Sequence, residues 1–486
     1  MRTVVFSGLA IATLALGCSS NPTAPADAGA DSNPTIPPLE PAVACADAID
    51  SVYGDPGTLP PEKGAIVRCA TDKTIAKADL EAQAKTDGYS GKAFTSGAKV
   101  YRISYRTERG DKGSSPAIGS AAVYLPDTPR AAGLPVVVLA RGSRGQGPKC
   151  AASKMDPAAD AVNPDLRRLV YPIVGAGYAA IVPDLAGYAN FGAPNNPPSV
   201  YAGAADTGKS TLDGGRALKK LVPSLSDKVV LVGHSQGGHT ALASLALSDS
   251  YGTAGPIVGA ATYAPLWISQ RSWGAVALPF VAKDYPIDTT VAAVSIWYNY
   301  THAEALDGPG EGKKLFAPGA QAAIEKFVNE TCWSSGPYAE LTPLGTNPSD
   351  LYDPTWRSAV ASAAAGIGDC GGNATCEKWI ARYVEDRPHI TGAAAKVPLL
   401  VLYGGMDTTI PPERMKCAVD RLVEDKANMK FCYVAGESHG GILGARADYV
   451  ADWIASVALG APAPADCPAN ESALAATTCA TPPPND

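Results

Sequence analysis

The segment Val229-Val230-Leu231-Val232-Gly233-His234-Ser235-Gln236-Gly237-Gly238-His239 constrains the fold more than any other part of this chain. Its four leading apolar residues, mostly valine, suit a strand buried on both faces. The residues that follow suit a helix, so the pattern Gly233-x-Ser235-x-Gly237 must turn the chain from strand to helix within a few residues. A turn that tight leaves no room for Cβ atoms at the two glycines and strains Ser235, whose hydroxyl then projects over the sheet edge. The start of the helix supplies the backbone N–H of Gln236 and a dipole end for developing negative charge. Ser235 is therefore the candidate nucleophile.

Apolar runs elsewhere repeat this alternation. Residues 99–106 and 118–125, separated by a polar, Gly-rich stretch, predict an antiparallel hairpin. Further strands are predicted over 135–140, 178–183, 228–232, 257–262, 397–403 and 429–434, and helices over 165–175, 210–221, 236–246, 412–424 and 447–458. Strand and helix in alternation imply an α/β fold, a mostly parallel sheet flanked by helices and joined by right-handed crossovers. Residues 264–395, rich in Trp, Tyr, Gly and Pro, interrupt the pattern and are expected to form an inserted lid or cap between core segments 42–263 and 396–460. A chain of 486 residues that is 46% hydrophobic and 18% charged can bury such a core. Its net charge of −7, with no Lys/Arg cluster interleaved with aromatics, argues against a nucleic-acid partner.

A serine hydroxyl needs a base to take its proton, and histidine is the usual one. Of the five histidines, His234 and His239 belong to the turn and its helix, the former expected beneath the turn, and His302 and His389 fall in the insertion. That leaves His439, in Gly436-Glu437-Ser438-His439-Gly440-Gly441 after the last predicted strand, as the general base. Its far nitrogen needs a carboxylate to fix the tautomer. Asp407, in Gly404-Gly405-Met406-Asp407, follows a strand and precedes a helix opened by Pro411, so it is the orienting acid; Glu437 is its rival. Asp184 also ends a predicted strand, but it precedes Ser235 and is read as a structural carboxylate. No Cys-His cluster suggests zinc, and no metal or other cofactor is expected.

Pro183-Asp184-Leu185-Ala186-Gly187-Tyr188, the turn from Gly233 to His239, Gly404-Gly405-Met406-Asp407, Ser438-His439 and the terminal stretch from Trp453 to Cys467 together resemble the secretory lipase family of the α/β-hydrolase superfamily. The likeness runs from about Tyr101 to Cys467. It implies an α/β-hydrolase fold, the chain order Ser, Asp, His, and hydrolysis of small-molecule or lipid carboxylic esters through an acyl-enzyme. Such folds draw a second oxyanion donor, beside the N–H of Gln236, from the loop after the strand 135–140. Here that loop reads Arg141-Gly142-Ser143-Arg144-Gly145, where His-Gly is the commoner opening, and Ser143 is the expected donor. The insertion's aromatic residues either line an acyl pocket or form the insertion's own core. Two alternatives stay open: a peptidase or amidase on the same fold, and a non-catalytic surface-binding protein.

At the N-terminus, Arg2 followed by an apolar run from Val4 to Leu16 resembles an export signal too short for a membrane span. Leu14-Ala15-Leu16-Gly17-Cys18 resembles a lipobox, in which Cys18 would be lipidated and anchor the chain to a membrane of the bacterial cell envelope. An ordinary signal peptide cleaved nearby is the alternative. Residues 19–41 are expected to be an extended tether and residues 461–486 a Pro/Ala-rich tail. Setting Cys18 aside, ten of the eleven cysteines remain, an even number suited to disulfides in an oxidising compartment. Connectivity is not deducible from spacing; short loops suggest Cys45 with Cys69, Cys370 with Cys376, Cys417 with Cys432 and Cys467 with Cys479, leaving Cys150 for Cys332.

Overall fold

The computed structural model describes residues 36–155, 164–269, 289–333, 341, 347–364, 370–465 and 467. The N-terminal apolar run with Cys18, most of the expected tether and most of the expected tail, including Cys479, lie outside these residues.

A nine-stranded sheet forms the centre, with strands β1 (Ile66–Ile75), β2 (Ala98–Glu108), β3 (Pro116–Pro126), β4 (Val136–Ala140), β5 (Ala180–Ala186), β6 (Val229–His234), β7 (Ile257–Tyr263), β8 (Leu399–Gly404) and β9 (Met429–Val434). Their spatial order is β1-β2-β3-β5-β4-β6-β7-β8-β9. β2 and β3 form the predicted hairpin, in continuous register from Ala98 opposite Pro126 to Glu108 opposite Pro116. From β5 to β9 every pairing is parallel. The central β4, Val-Val-Val-Leu-Ala, is buried along its whole length, as a strand covered on both faces must be. β1 escapes sequence reading because it is an edge strand whose polar residues Arg68, Thr71, Asp72 and Lys73 break any apolar run.

Helices α1 (Lys77–Thr86), α2 (Asp165–Gly175), α3 (Ala204–Leu221) and α4 (Gln236–Tyr251) flank the sheet, α3 packing on α4 and α2 on α1. Chain direction across the sheet reverses at β4, since β5 lies on one side of it and β6 on the other. Open α/β sheets form a crevice at such a switch point, beyond the carboxyl ends of the strands. The loop after β4 and the turn after β6 both end there.

Between β7 and β8 the described chain is helical, including Thr289–Leu306, Gln321–Glu330, Pro354–Ala364 and Ala374–Glu385. These helices have their own buried cluster, in which Trp297, Tyr298, Tyr352 and Trp379 are fully enclosed. Of the aromatic residues in and beside the insertion, Trp297, Tyr298, Tyr300, Tyr352 and Trp356 belong to this cluster, whereas Tyr263 and Trp267 join the core of the sheet. Trp273, Tyr285 and Tyr338 lie outside the described residues. Most of the region's described aromatic surface is thus spent on its own packing.

Disulfides join Cys45 to Cys69, Cys150 to Cys332, Cys370 to Cys376 and Cys432 to Cys467. The last corrects two sequence expectations, Cys417 with Cys432 and Cys467 with Cys479. Short spacing stood in for nearness there, but after the helix Ala447–Leu459 the chain comes back to β9, where Cys432 is fully buried. The Cys150–Cys332 bridge ties the loop after β4 to the segment beyond Gln321–Glu330, and the N–H of Trp333 donates to the carbonyl of Arg144 at 2.9 Å beside it.

Candidate active site

β6 delivers Ser235 with φ 55° and ψ −120°, a backbone region that costs a non-glycine residue about 1–3 kcal/mol and persists only where its surroundings enforce it. They do so with four hydrogen bonds. The Ser235 N–H donates to Tyr263 at the end of β7 at 2.9 Å, and its carbonyl accepts from Gly238 at 2.9 Å, His239 at 3.2 Å and Leu266 at 2.9 Å. A Cβ on Gly233 would collide with the carbonyl of Gly237, and one on Gly237 with that of Ala140, so both positions admit only glycine.

The loop after β4 closes over this turn. A Cβ at Gly142 would lie 3.5 Å from the Cβ of Ser235 and 3.1 Å from His234 Nδ1. The backbone N–H groups of Gln236 and Ser143 find no acceptor among the described residues, leaving both donors available at the same crevice. Ser143 Oγ is held by the hydroxyl of Tyr201 at 2.8 Å. Arg141 occupies the place of the commoner histidine and braces its own loop: its guanidinium donates to the carbonyl of Gly142 at 3.0 Å and lies over the Tyr188 ring at 5.1 Å.

His439 reaches the turn from the loop after β9. Its Nδ1 and Asp407 Oδ2 are 2.8 Å apart, and Asp407 is almost fully buried. Asp407 Oδ1 accepts the N–H groups of Thr409 and Ile410, each at 2.8 Å, which holds the carboxylate in one orientation. Because the carboxylate only accepts, His439 Nδ1 carries the proton and Nε2 presents a lone pair. The structure thus brings Asp407 and His439 together and sets the His439 ring 4.7 Å from the ring of His234, the residue before Ser235. It does not close a hydrogen bond between Ser235 Oγ and His439, a contact that often tightens only when substrate binds. Glu437 contributes to the loop through its backbone, its carbonyl accepting from Met406 at 2.9 Å, and makes no side-chain hydrogen bond to His439.

Of the remaining histidines His234, His239 and His302 are buried and His389 is exposed, and only His234 lies at the turn. Burial, followed by the charge of neighbouring His439, pushes His234 down to about 4 from an ordinary 6.5. Burial also lowers His239, whose Nε2 bonds the carbonyl of Asp386 at 2.8 Å. His302 pairs with Asp386 at 2.7 Å inside the helical region. Asp184 accepts from Ser120 Oγ and the Ser153 N–H, each at 2.7 Å, and from the Ser153 hydroxyl, tying β5 to β3 and to the turn after Cys150, with no histidine among these partners. Tyr201 carried no signal in the sequence, because it lies in an irregular loop before α3 and meets Ser143 only through the fold.

A separate cavity of about 540 Å³ lies between the loop around Pro194, α3 and the helices Thr289–Leu306 and Gln321–Glu330. It contains none of Ser235, Asp407 and His439, and its ionic groups already have partners, Arg109 with Asp206 at 2.8 Å and Glu304 with the N–H groups of Gly310 and Gly312.

The sequence model of the Alpha/beta hydrolase family matches residues 166–427, more than half of the chain, and the protein belongs to that family. Its fold is similar to that of the rice cell wall degrading esterase LipA from Xanthomonas oryzae, with a TM-score of 0.59 at 15% identity, covering 82% of this chain and 97% of that one. It is also similar to Candida antarctica lipase A in its closed state, with a TM-score of 0.58 at 18% identity, covering 89% of this chain and 94% of that one. No functionally curated protein matches the sequence.

Proposed function

We propose that this protein is a serine carboxylic ester hydrolase, a lipase or carboxylesterase acting through an acyl-enzyme on Ser235. The observation that carries the reading is the His439–Asp407 pair at 2.8 Å, set against a strained serine turn flanked by two unused backbone donors. In this reading His439 Nε2 takes the proton of Ser235 Oγ as the oxygen attacks the ester carbonyl, and Asp407 stabilises the resulting imidazolium. The N–H groups of Gln236 and Ser143 donate to the oxyanion, where each such donor contributes on the order of 10²–10³ in rate. The intermediate collapses with the proton passing from His439 to the leaving alcohol, and water activated by the same base releases the acid. Ester rather than other acyl substrates is supported by the fold's similarity to a named esterase and a named lipase.

The reading extends to export. Four described disulfides suit an oxidising compartment, and the lipobox-like segment ending at Cys18 suits a lipid anchor on the cell envelope. The decisive experiment is hydrolysis of p-nitrophenyl esters from acetate to palmitate by the wild type beside Ser235→Ala. Turnover confined to the wild type supports the assignment, and the preferred chain length separates esterase from lipase. Failure on every ester, with cleavage of peptide amides instead, overturns it. For the anchor, Cys18→Ala should release the protein from membranes, and a variant that still partitions with them removes that part of the reading.

A further inference from the structure

The acid of a serine triad holds the imidazole ring of its base; it does not hold the backbone from which that ring hangs. Here the base sits in Gly436-Glu437-Ser438-His439-Gly440-Gly441, a segment with a glycine on each side of the His439 neighbourhood and little intrinsic stiffness. Resting on the active-site reading above, we infer that His234 is a positioning residue, fixing the main chain of His439 to the nucleophile turn through a hydrogen bond to the His439 carbonyl.

His234 Nε2 lies 3.0 Å from the carbonyl oxygen of His439. A carbonyl only accepts, so Nε2 bears the proton and donates. His234 Nδ1 is buried and has no partner among the described residues, which fits a neutral ring with its lone pair on that side. Neutrality matters for the proposed reaction. His439 becomes an imidazolium in the transition state, and a second cation with its ring centroid 4.7 Å away would oppose it. Burial and the facing His439 keep His234 unprotonated, with Asp165 and Asp407 acting in the other direction. The side chain is buried, and Gly142 lies so close to its Nδ1 that a Cβ there would stand 3.1 Å away. Since His234 immediately precedes Ser235, this one bond ties the base's backbone to the nucleophile's strand. Asp407 then fixes the ring's rotation, and the two restraints together define where Nε2 points. Misplacement of a reacting group by about 1 Å can cost on the order of a hundredfold.

The test compares His234→Leu, which fills similar space without a donor, with His234→Gln, whose amide nitrogen can reach the same carbonyl. Two readouts are taken, the labelling rate of Ser235 by a fluorophosphonate and kcat and KM on the best p-nitrophenyl ester. His234→Leu should lower labelling and kcat by roughly ten- to a hundredfold with KM little changed, and His234→Gln should recover most of that loss. If the Leu variant does not fold, His234→Asn takes its place, because its amide is one bond too short to reach. The inference is overturned if the donorless variant labels at the wild-type rate, or if Gln falls as far as the donorless variant while both unfold at the wild-type temperature. Labelling without ester turnover in the wild type would count against ester hydrolysis alone, and the variant ratio would still decide this inference. A wild type that does not label would overturn both.

Discussion

Two histidine–carboxylate pairs of nearly equal length lie in this molecule, His439 with Asp407 at 2.8 Å beyond the sheet and His302 with Asp386 at 2.7 Å inside the helical region between β7 and β8. Distance does not tell them apart. What differs is the set of valences left over. His302 Nδ1 faces the carbonyl of Tyr298 one turn back at 2.7 Å, so both ring nitrogens face acceptors and both must donate. Asp386 is equally committed, taking the Tyr298 hydroxyl at 2.6 Å and the N–H of Ala204 at 2.8 Å, while its backbone carbonyl takes His239. This pair joins Thr289–Leu306, Ala374–Glu385, α3 and α4 into one body and has no lone pair to offer. His439 keeps Nε2 unengaged, is about one-sixth exposed at its side chain, and stands beside the serine turn. A pair with every group satisfied holds structure; a pair with one group withheld can do chemistry.

The sharpest way to break the comparison is to remove the imidazoles. His439→Ala should lower ester turnover by about 10⁴-fold or more, as should Ser235→Ala, with little change in unfolding midpoint. If His302→Ala did the same to turnover per folded molecule, the division would be wrong. Exchanging the carboxylates comes next. Asp407→Asn should lower kcat by roughly 10³–10⁴ through the wrong tautomer of His439. Asp386→Asn should instead cost about 3 kcal/mol of stability, read by denaturant unfolding, because it breaks a buried, multiply bonded ion pair.

Removing the covalent tie between the two regions tests a smaller effect. Cys150→Ser with Cys332→Ser should lower stability by about 2–4 kcal/mol, and it should loosen the Ser143 loop enough to raise KM or lower kcat severalfold. The smallest effect is the pH dependence of stability. His234 and His239 have folded-state values below the ordinary 6.5, so the unfolded chain binds protons more readily. The stability they contribute is complete above pH 6.5 and is lost as pH falls toward about 4, the His234 value. Burial alone would raise the Asp386 carboxyl, but His302, Tyr298 and the Ala204 N–H hold it below its ordinary 3.8, so its contribution is lost only on further acidification below that value. Unfolding midpoints from pH 8 to pH 3 should therefore fall in two stages, and His234→Gln should flatten the first.

Much of the sheet was legible because buried parallel strands are written as short apolar runs. β9 and the helices α2 and Pro412–Glu424 match their predicted bounds, and most other elements extend theirs by a few residues. β1 was not legible, since an edge strand needs no continuous apolar run. α3 begins at Ala204, six residues before its predicted start. Its first turns are unpromising alone, and the Asp386 carboxylate accepting the Ala204 N–H comes from 182 residues away.

Local chemistry determined, from sequence alone, where a serine had to stand in a strained strand-to-helix turn and which histidine and aspartate followed strands late in the chain. Backbone sterics and apolar periodicity act over a few residues, so a linear reading captures them. Tertiary structure alone decided that Cys432 pairs with Cys467, that Tyr201 holds Ser143, that His234 meets the carbonyl of His439, and which histidine–aspartate pair is used up in packing. Each of these depends on which atoms remain unsatisfied after distant segments meet, and that remainder has no local signature for a sequence to carry.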